Sequence, residues 1–447
     1  MNIINKSHSL SPSGGLGAKR VLIITYYWVP SGGSGVQRWL KFAKYFRDFG
    51  WEPVIYAPEN PDYPTIDTSF EKDLPENLTV IKTPIWEPYN IYRSLTGGKN
   101  KAISAGFISE GKKSGWKDKL SIWIRGNFLI PDPRRFWIKP SVKFLKKYLA
   151  EHPVDAIVTT GPPHSMHLIG LKLKRLFPAT PWIADFRDPW TNIHYHKDLH
   201  LTPLADNIHH RMEKAVVQTA DCLTVTSQGT KEEFELLHPQ QIEVITNGFD
   251  DSDFGNENVS LDPQFTISHI GLLTEKQNPT LLWKVLKEMC DADETFRKDL
   301  KIQLIGKTDA AVVSAIEQCG LQQQLSNCAY VPHKQAIERL MSSQLLLLLL
   351  LNQTTAKGIL HGKIFEYLAA KRPIVAFGTH DSDIARVIRE TKSGITIDYN
   401  AESETKQAIT DLYARYKNNT LHLKSEAVEQ YSRRKLTEKY AALLESL

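Results

Sequence analysis

A chain of 447 residues is long enough for two or three domains of roughly 100–200 residues each. Its 41% apolar and 23% charged residues exclude a disordered or fibrous chain. Its four cysteines (Cys222, Cys290, Cys319, Cys328) stand singly, which argues against a disulfide frame or a cysteine metal cluster and for free thiols in a reducing compartment. The net charge of +5 is unevenly spread: Arg93 to Lys147 holds fourteen Lys and Arg against three acids, a surplus of eleven that leaves −6 elsewhere.

Residues 1–18, rich in Ser, Gly and Asn, read as a disordered tail with no apolar core for a signal peptide. The longest leucine run, Leu345 to Leu351, is far shorter than the roughly 20 residues a membrane helix requires. The expected location is cytoplasmic, with membrane contact peripheral at the inner face.

Arg20 to Tyr27 reads as a buried strand, followed by the loop Pro30-Ser-Gly-Gly-Ser-Gly35, a helix from about Val36 to Phe49 and a strand from Trp51 to Ala57. Strand, glycine loop, helix, strand opens a doubly wound α/β domain. Arg38 occupies the position where a dinucleotide fingerprint needs its third small residue, which argues against an oxidoreductase. Residues 85–147 form a basic insertion with interleaved aromatics, including Trp116, Trp123, Phe128, Phe136 and Trp137. That mixture suits either an anionic membrane interface or a solvated helical cover; with no recognition module present, nucleic acid fits less well.

Further strands are expected at Val154 to Thr160, before Gly161-Pro-Pro-His164, and at Trp182, before Asp185-Phe-Arg187-Asp188-Pro-Trp190. Polar loops at strand ends are where open α/β sheets bind ligands. Three charges in one turn must be paired or used, and an internal bridge from Arg187 to Asp185 and Asp188 is one solution. His164 and His167 lack a third metal ligand, the histidines from His194 to His210 are too scattered for a metal site and read as surface, and Asp251 with Asp253 read as solvated acids. Strands at Ala220 to Thr226 and Ile242 to Thr246 close the first half.

A second domain begins near Phe265, with strands at Thr266 to Ile270, Lys301 to Ile305, the leucine run, Ile374 to Phe377 and Gly394 to Asp398, and a helix from Lys334. The densest signal is Gly358 to Phe377: a strand, a loop with Gly358 and Gly362, a helix bearing Lys363 and Glu366, then Pro373 and the next strand. Backbone amides and Lys363 would face an anion, and Glu366 could accept from sugar hydroxyls. A plainer alternative is a buried crossover in which Glu366 makes a structural salt bridge.

Glu366-Tyr-Leu-Ala-Ala-Lys-Arg-Pro373-Ile resembles the donor-binding motif of retaining GT-B glycosyltransferases, especially glycosyltransferase family 4. The family's earlier glutamate is replaced by Gly358. The resemblance implies two Rossmann-like parallel-sheet domains facing across a cleft: residues 19–255 on the acceptor side, 262–424 binding the nucleotide sugar, and 425–447 as a helix crossing back. It implies transfer of a hexosyl group with retention, without cofactor or metal, from a nucleotide sugar to a lipid-linked or saccharide acceptor in cell-surface polysaccharide or glycolipid synthesis. His164, Asp185, Lys276 and Lys363 would be catalytic. Gly33, Gly35, Gly271, His333, Gly362 and Glu366 would bind donor, and Arg187 with Asp188 would face the acceptor. A nucleotide-sugar epimerase or hydrolase, or an inactive membrane-associated scaffold, are the alternatives.

Overall fold

The computed structural model describes residues 17–88, 116–255, 259–351, 358, 360–423 and 425–447. The expected tail (apart from Gly17 and Ala18) and the segment 93–115 of the basic insertion lie outside these residues. The chain divides into two compact units. The first runs to Thr224 and adds Leu237–Glu243 and Thr437–Leu447; the second comprises Val225–Leu236 and Val244–Leu436.

The first unit is built on seven strands: β1 (Lys19–Ile24), β2 (Trp51–Pro58), β3 (Thr79–Thr83), β4 (Ala156–Gly161), β5 (Trp182–Phe186), β6 (Cys222–Val225) and β7 (Ile242–Val244). They lie in the order β3-β2-β1-β4-β5-β6-β7, with β1 to β5 paired in parallel. Strand order reverses between β1 and β4, the switch point at which such sheets open a crevice.

The second unit repeats the plan with β8 (Phe265–Ile270), β9 (Leu300–Ile305), β10 (Leu325–Cys328), β11 (Leu345–Leu349), β12 (Ile374–Phe377) and β13 (Gly394–Ile397). Its order is β10-β9-β8-β11-β12-β13, all parallel, so its switch point falls between β8 and β11. Both sheets are Rossmann-like.

The leucine run shows why a strand of this kind contains no polar residue. Leu345, Leu347 and Leu349 enter one core with Leu282, Trp283 and Ile302. Leu346, Leu348 and Leu350 enter another with Ile364, Phe365 and Leu368. Successive side chains of a strand point to opposite faces, and here both faces are covered. β10 escaped the sequence reading because it is an edge strand whose residues Leu-Ser-Asn-Cys are half-buried or exposed and carry no apolar pattern.

The described part of the basic insertion forms two helices, Trp116–Phe128 and Arg135–Glu151. Leu120, Trp123, Ile124 and Phe128 are exposed on the first, and Phe136 and Phe144 on the second, beside exposed Lys139, Lys143, Lys146 and Lys147. Trp137 departs from expectation. It is buried, stacked on Tyr56 at 4.9 Å, with its indole N–H donating to Thr83 Oγ1 at 3.1 Å.

The final helix, Arg433–Glu445, straddles the division, and its residues from Thr437 onward belong to the first unit. There the fully buried Tyr440 packs against Trp39 and Phe42 at 5.3 Å and Phe46 at 6.1 Å, its hydroxyl 3.3 Å from Thr224 Oγ1. Tyr440→Ala should destabilise the protein by about 3–5 kcal/mol, the scale for emptying a buried aromatic site. Tyr440→Phe should lose only about 1 kcal/mol, the scale of one hydrogen bond. Urea unfolding of both variants checks this; equal losses would mean that the hydroxyl, not the ring, secures the helix.

Candidate functional site

In the second unit the ladder between β8 and β11 registers only Ile267 with Leu345 and Ser268 with Leu346. β8 continues alongside β9 to Ile270, so the gap opens on the β11 side. Side chains satisfy the backbone groups that the gap releases. His269 Nδ1 donates to the Leu347 carbonyl at 3.0 Å, and the Tyr367 hydroxyl accepts from the Ile270 N–H at 3.2 Å. Nε2 in turn lies 3.4 Å from the Leu272 carbonyl, so each ring nitrogen faces a carbonyl; the shorter Leu347 contact assigns the proton to Nδ1 and leaves Nε2 facing Lys363 as an acceptor.

Lys363 arrives from the seven-residue helix Lys363–Ala369, capped by the exposed Gly362. Its Nζ donates to the Leu272 carbonyl at 3.2 Å and lies 3.4 Å from His269 Nε2. The side chain crosses Gly271, where a Cβ would stand 2.6 Å from Lys363 Cε. Gly271 has a φ of +115°, and Gly306, at the end of β9, packs its bare Cα against the Gly271 backbone with a φ of +119°. Gly271 thus leaves room for the Lys363 stem, and Gly306 leaves room for the Gly271 backbone.

Burial lowers the Lys363 ammonium to about 8, partly offset by Glu366. Burial, reinforced by Lys363, lowers His269 to about 3 and His361 to about 4. At neutral pH the Lys363 cation therefore lies against the neutral imidazole of His269. Glu366 Oε1, one turn along the helix, lies 3.5 Å from Nε2 of His333, the first residue of the helix His333–Ser342. Gly271, Lys363, Gly362, Glu366 and His333 are thus brought together as the sequence suggested. Lys276 is exposed on the 3₁₀ turn Glu275–Gln277 that follows β8. Gly358 packs on Gly229, its carbonyl accepting from Ser227 Oγ at 2.7 Å.

At the switch point of the first unit, the glycine loop is held from outside: the Gly32 N–H donates to the Thr65 carbonyl and the Asp67 N–H to the Pro30 carbonyl, both at 2.9 Å. Gly33, with a φ of +89°, caps the helix Ser34–Tyr45, and Gly35 leaves space for the Arg187 guanidinium. Arg187 Nε donates to the Gly161 carbonyl at 3.2 Å, and its Nη2 donates to the Pro162 carbonyl. The glycine loop, the β4 loop and the β5 loop therefore meet at one guanidinium. Asp188 lies beside it, exposed.

His164 begins the helix Ser165–Leu176, buried and stacked on Trp190 with ring centroids 4.7 Å apart. Burial holds it well below the usual imidazole range. Neither of its ring nitrogens has a hydrogen-bond partner among the described residues. Asp132 fixes its position by accepting from the Ser165 N–H and hydroxyl at 2.8 and 2.9 Å.

Asp185 is not at a surface. It is fully buried and accepts from Arg38 Nη2 at 2.9 Å, Trp39 Nε1 at 2.9 Å, Thr160 Oγ1 at 2.9 Å and Thr224 Oγ1 at 2.8 Å. Although burial opposes ionisation, the buried Arg38 and these donors hold the carboxyl below its ordinary range. A carboxylate so enclosed has no face for a substrate. Its ion-pair partner is Arg38, so for Asp185 the bridge expected from Arg187 is replaced by a longer-range one. Two of the histidines expected at the surface are corrected, while His200 and His210 are exposed as expected: His209 is buried and accepts from the Trp190 indole at 3.2 Å, and His196 is buried 3.2 Å from Asp206. His269, Tyr367, Gly306 and Asp132 were missed; a histidine inside the strand Phe-Thr-Ile-Ser-His-Ile was the one local signal.

Residues 110–253 match the model of Glycosyltransferase Family 4, and residues 264–415 that of Glycosyl transferases group 1. No curated protein matches the chain. Among solved structures, Anabaena HepE in complex with UDP and glucose is similar at 13% identity, covering 96% of this chain and 100% of that one, with a TM-score of 0.57. The α,α-trehalose-phosphate synthase (UDP-forming) from Burkholderia vietnamiensis is similar at 10% identity over 96% and 97%, with a TM-score of 0.54. A putative UDP-N-acetylglucosamine 2-epimerase from Listeria monocytogenes reaches 10% identity over 96% of both chains, at 0.52. These likenesses establish the fold, GT-B with two Rossmann-like domains.

The lowered Lys363 value makes the crevice a pH-dependent liability. Because the folded value lies below the ordinary 10.5, the unfolded chain binds more protons between pH 8 and 10, and stability rises with pH across that window. At one proton of difference the rise is about 2 kcal/mol. Urea unfolding at pH 8 and pH 10 should show it in the wild type and not in Lys363→Met; an unchanged slope in the variant would detach it from Lys363.

Proposed function

Because the chain is a glycosyltransferase of the family 4 and group 1 type, we propose that it moves a hexosyl group with retention from a nucleotide sugar to an acceptor hydroxyl. The observation that carries this reading is the Lys363 ammonium, held across Gly271 at a sheet switch point. A diphosphate bound there meets a desolvated cation, and such fixed charges stabilise a leaving group far better than water does. Lys276, on the neighbouring exposed turn, adds a second positive charge. Glu366, beside His333, is placed to accept from ribose hydroxyls. Gly33, Gly35 and His164 position donor and acceptor, with Arg187 and Asp188 on the acceptor side.

In the proposed reaction the bond from the anomeric carbon to the diphosphate breaks while the acceptor oxygen bonds on the same face. The departing phosphate oxygen takes the acceptor proton, and the lysines balance the charge that develops. Two lysines suffice for that role, so activity should persist in excess EDTA; loss restored by Mg²⁺ or Mn²⁺ would require a metal on the diphosphate. A thermal-shift panel of UDP-, GDP- and TDP-sugars identifies the donor. Incubating that donor alone distinguishes transfer from hydrolysis or epimerisation, because a transferase consumes donor steadily only with acceptor present. Lys363→Ala should lower kcat/KM by about ten- to a thousandfold, the range for removing one charge-stabilising contact. A folded variant with an unchanged rate removes Lys363 from the site.

The acceptor side is proposed to meet a lipid-linked substrate at the inner membrane face, in cell-surface polysaccharide or glycolipid synthesis. Support comes from exposed Leu120, Trp123, Ile124 and Phe128 on one helix and from exposed Lys139, Lys143, Lys146 and Lys147 on the next. Each lysine near an anionic surface contributes about 1 kcal/mol. Flotation with phosphatidylglycerol vesicles should show binding that weakens with salt, and phosphatidylcholine vesicles should bind poorly. Replacing the four lysines with Ser should abolish vesicle binding and leave nucleotide-sugar binding intact. A wild type that ignores anionic vesicles at low salt makes the acceptor soluble.

A further inference from the structure

We propose that His269 is a positioning residue for Lys363, its Nε2 accepting from the ammonium and aiming it across Gly271 at the diphosphate. The inference rests on the function proposed above and extends it to a side chain that would not itself touch the donor.

The geometry leaves little freedom. His269 sits at the last turn of the ladder between β8 and β11, where Ser268 is still registered with Leu346 and Ile270 has lost its partner on that side. Its ring bridges the opening gap to the Leu347 carbonyl at 3.0 Å, which fixes the ring orientation and, being shorter than the 3.4 Å from Nε2 to the Leu272 carbonyl, favours the proton on Nδ1. The opposite ring nitrogen then lies 3.4 Å from Lys363 Nζ. The Leu272 carbonyl, 3.2 Å from Nζ, supplies the second acceptor. An ammonium has three N–H donors, so two are spent on holding it and one is left for a ligand.

A lysine stem has about 2 kcal/mol of rotamer freedom. Without a second acceptor Lys363 would be tethered at one carbonyl and free to swing. The imidazole also suits the role chemically. Burial and the neighbouring ammonium keep it neutral, so it accepts rather than competes for the anion.

Three substitutions separate these roles. His269→Asn keeps an N–H within reach of the Leu347 carbonyl and removes the acceptor facing Lys363. His269→Gln restores an acceptor at the Nε2 position, and His269→Leu removes both. One readout needs no substrate: acetic anhydride labelling of Lys363 against pH, followed by peptide mass spectrometry on the whole protein. The Asn and Leu variants should shift the Lys363 labelling midpoint down from about 8 and speed labelling at pH 7 several-fold. Gln should stay near the wild type.

The second readout is calorimetric affinity for inorganic pyrophosphate. It should fall about ten- to a hundredfold in Asn and Leu, the scale of one hydrogen bond to a charged group, and stay within about threefold in Gln. Unaltered labelling and affinity in a folded Asn variant would overturn the proposal, as would Gln failing as badly as Asn. A wild type that binds neither pyrophosphate nor any nucleotide sugar defeats the glycosyltransfer reading instead, and the labelling arm still decides whether His269 holds Lys363.

Discussion

The C-terminal unit depends on a pair of parallel strands that stop bonding to each other. Between β8 and β11 the backbone ladder ends after Ser268, and every released group must find a partner or be buried at a penalty. His269 and Tyr367 supply those partners, so the crevice is lined by satisfied polar groups rather than closed by apolar collapse. Glycine at the ends of β8 and β9 keeps the opening clear. Lys363 then enters a space that was created by sheet topology before any chemistry was placed in it. The place of the cation and its low basicity both follow from that one divergence.

The N-terminal unit reaches a similar opening by other means. Asp185 lies at the end of β5 but points inward, collecting donors from the first helix, from Thr160 on β4 and from Thr224 on β6. A buried carboxylate with that many donors locks four elements in register, and the desolvated Arg38 balances its charge. What remains at the rim is a set of loops pinned by Arg187 through backbone carbonyls. One unit is therefore organised around a carboxylate that no substrate meets. The other places its charge in the crevice between two diverging strands.

The sequence made the architecture readable because parallel sheets buried on both faces write themselves as apolar runs. The run Leu345 to Leu349 and the stretch from Lys363 to Pro373 could be placed before any coordinates, since strand, loop, helix and strand follow in one local order. Partners far apart in sequence were not readable. Asp185, Arg187 and Asp188 were rightly seen as charges needing neutralisation, yet the partner of Asp185 is Arg38, 147 residues away. Trp137 looked like a surface aromatic because its neighbours are basic, whereas helical spacing turns it toward Tyr56. His209 looked like one of several scattered histidines, and only the fold brings the Trp190 indole to it.

The placement of Tyr440 has a consequence for how the protein comes to exist. Its ring fills the space between Trp39, Phe42 and Phe46, near the start of a chain whose intervening residues include the entire second unit. During synthesis those three aromatics leave the ribosome roughly 400 residues before the side chain that covers them, about 20–80 s at 5–20 residues per second. For that interval the emerging first unit is a nascent chain with an unroofed aromatic floor. That floor stays open until the helix Arg433–Glu445 has been made and can bring Tyr440 to it.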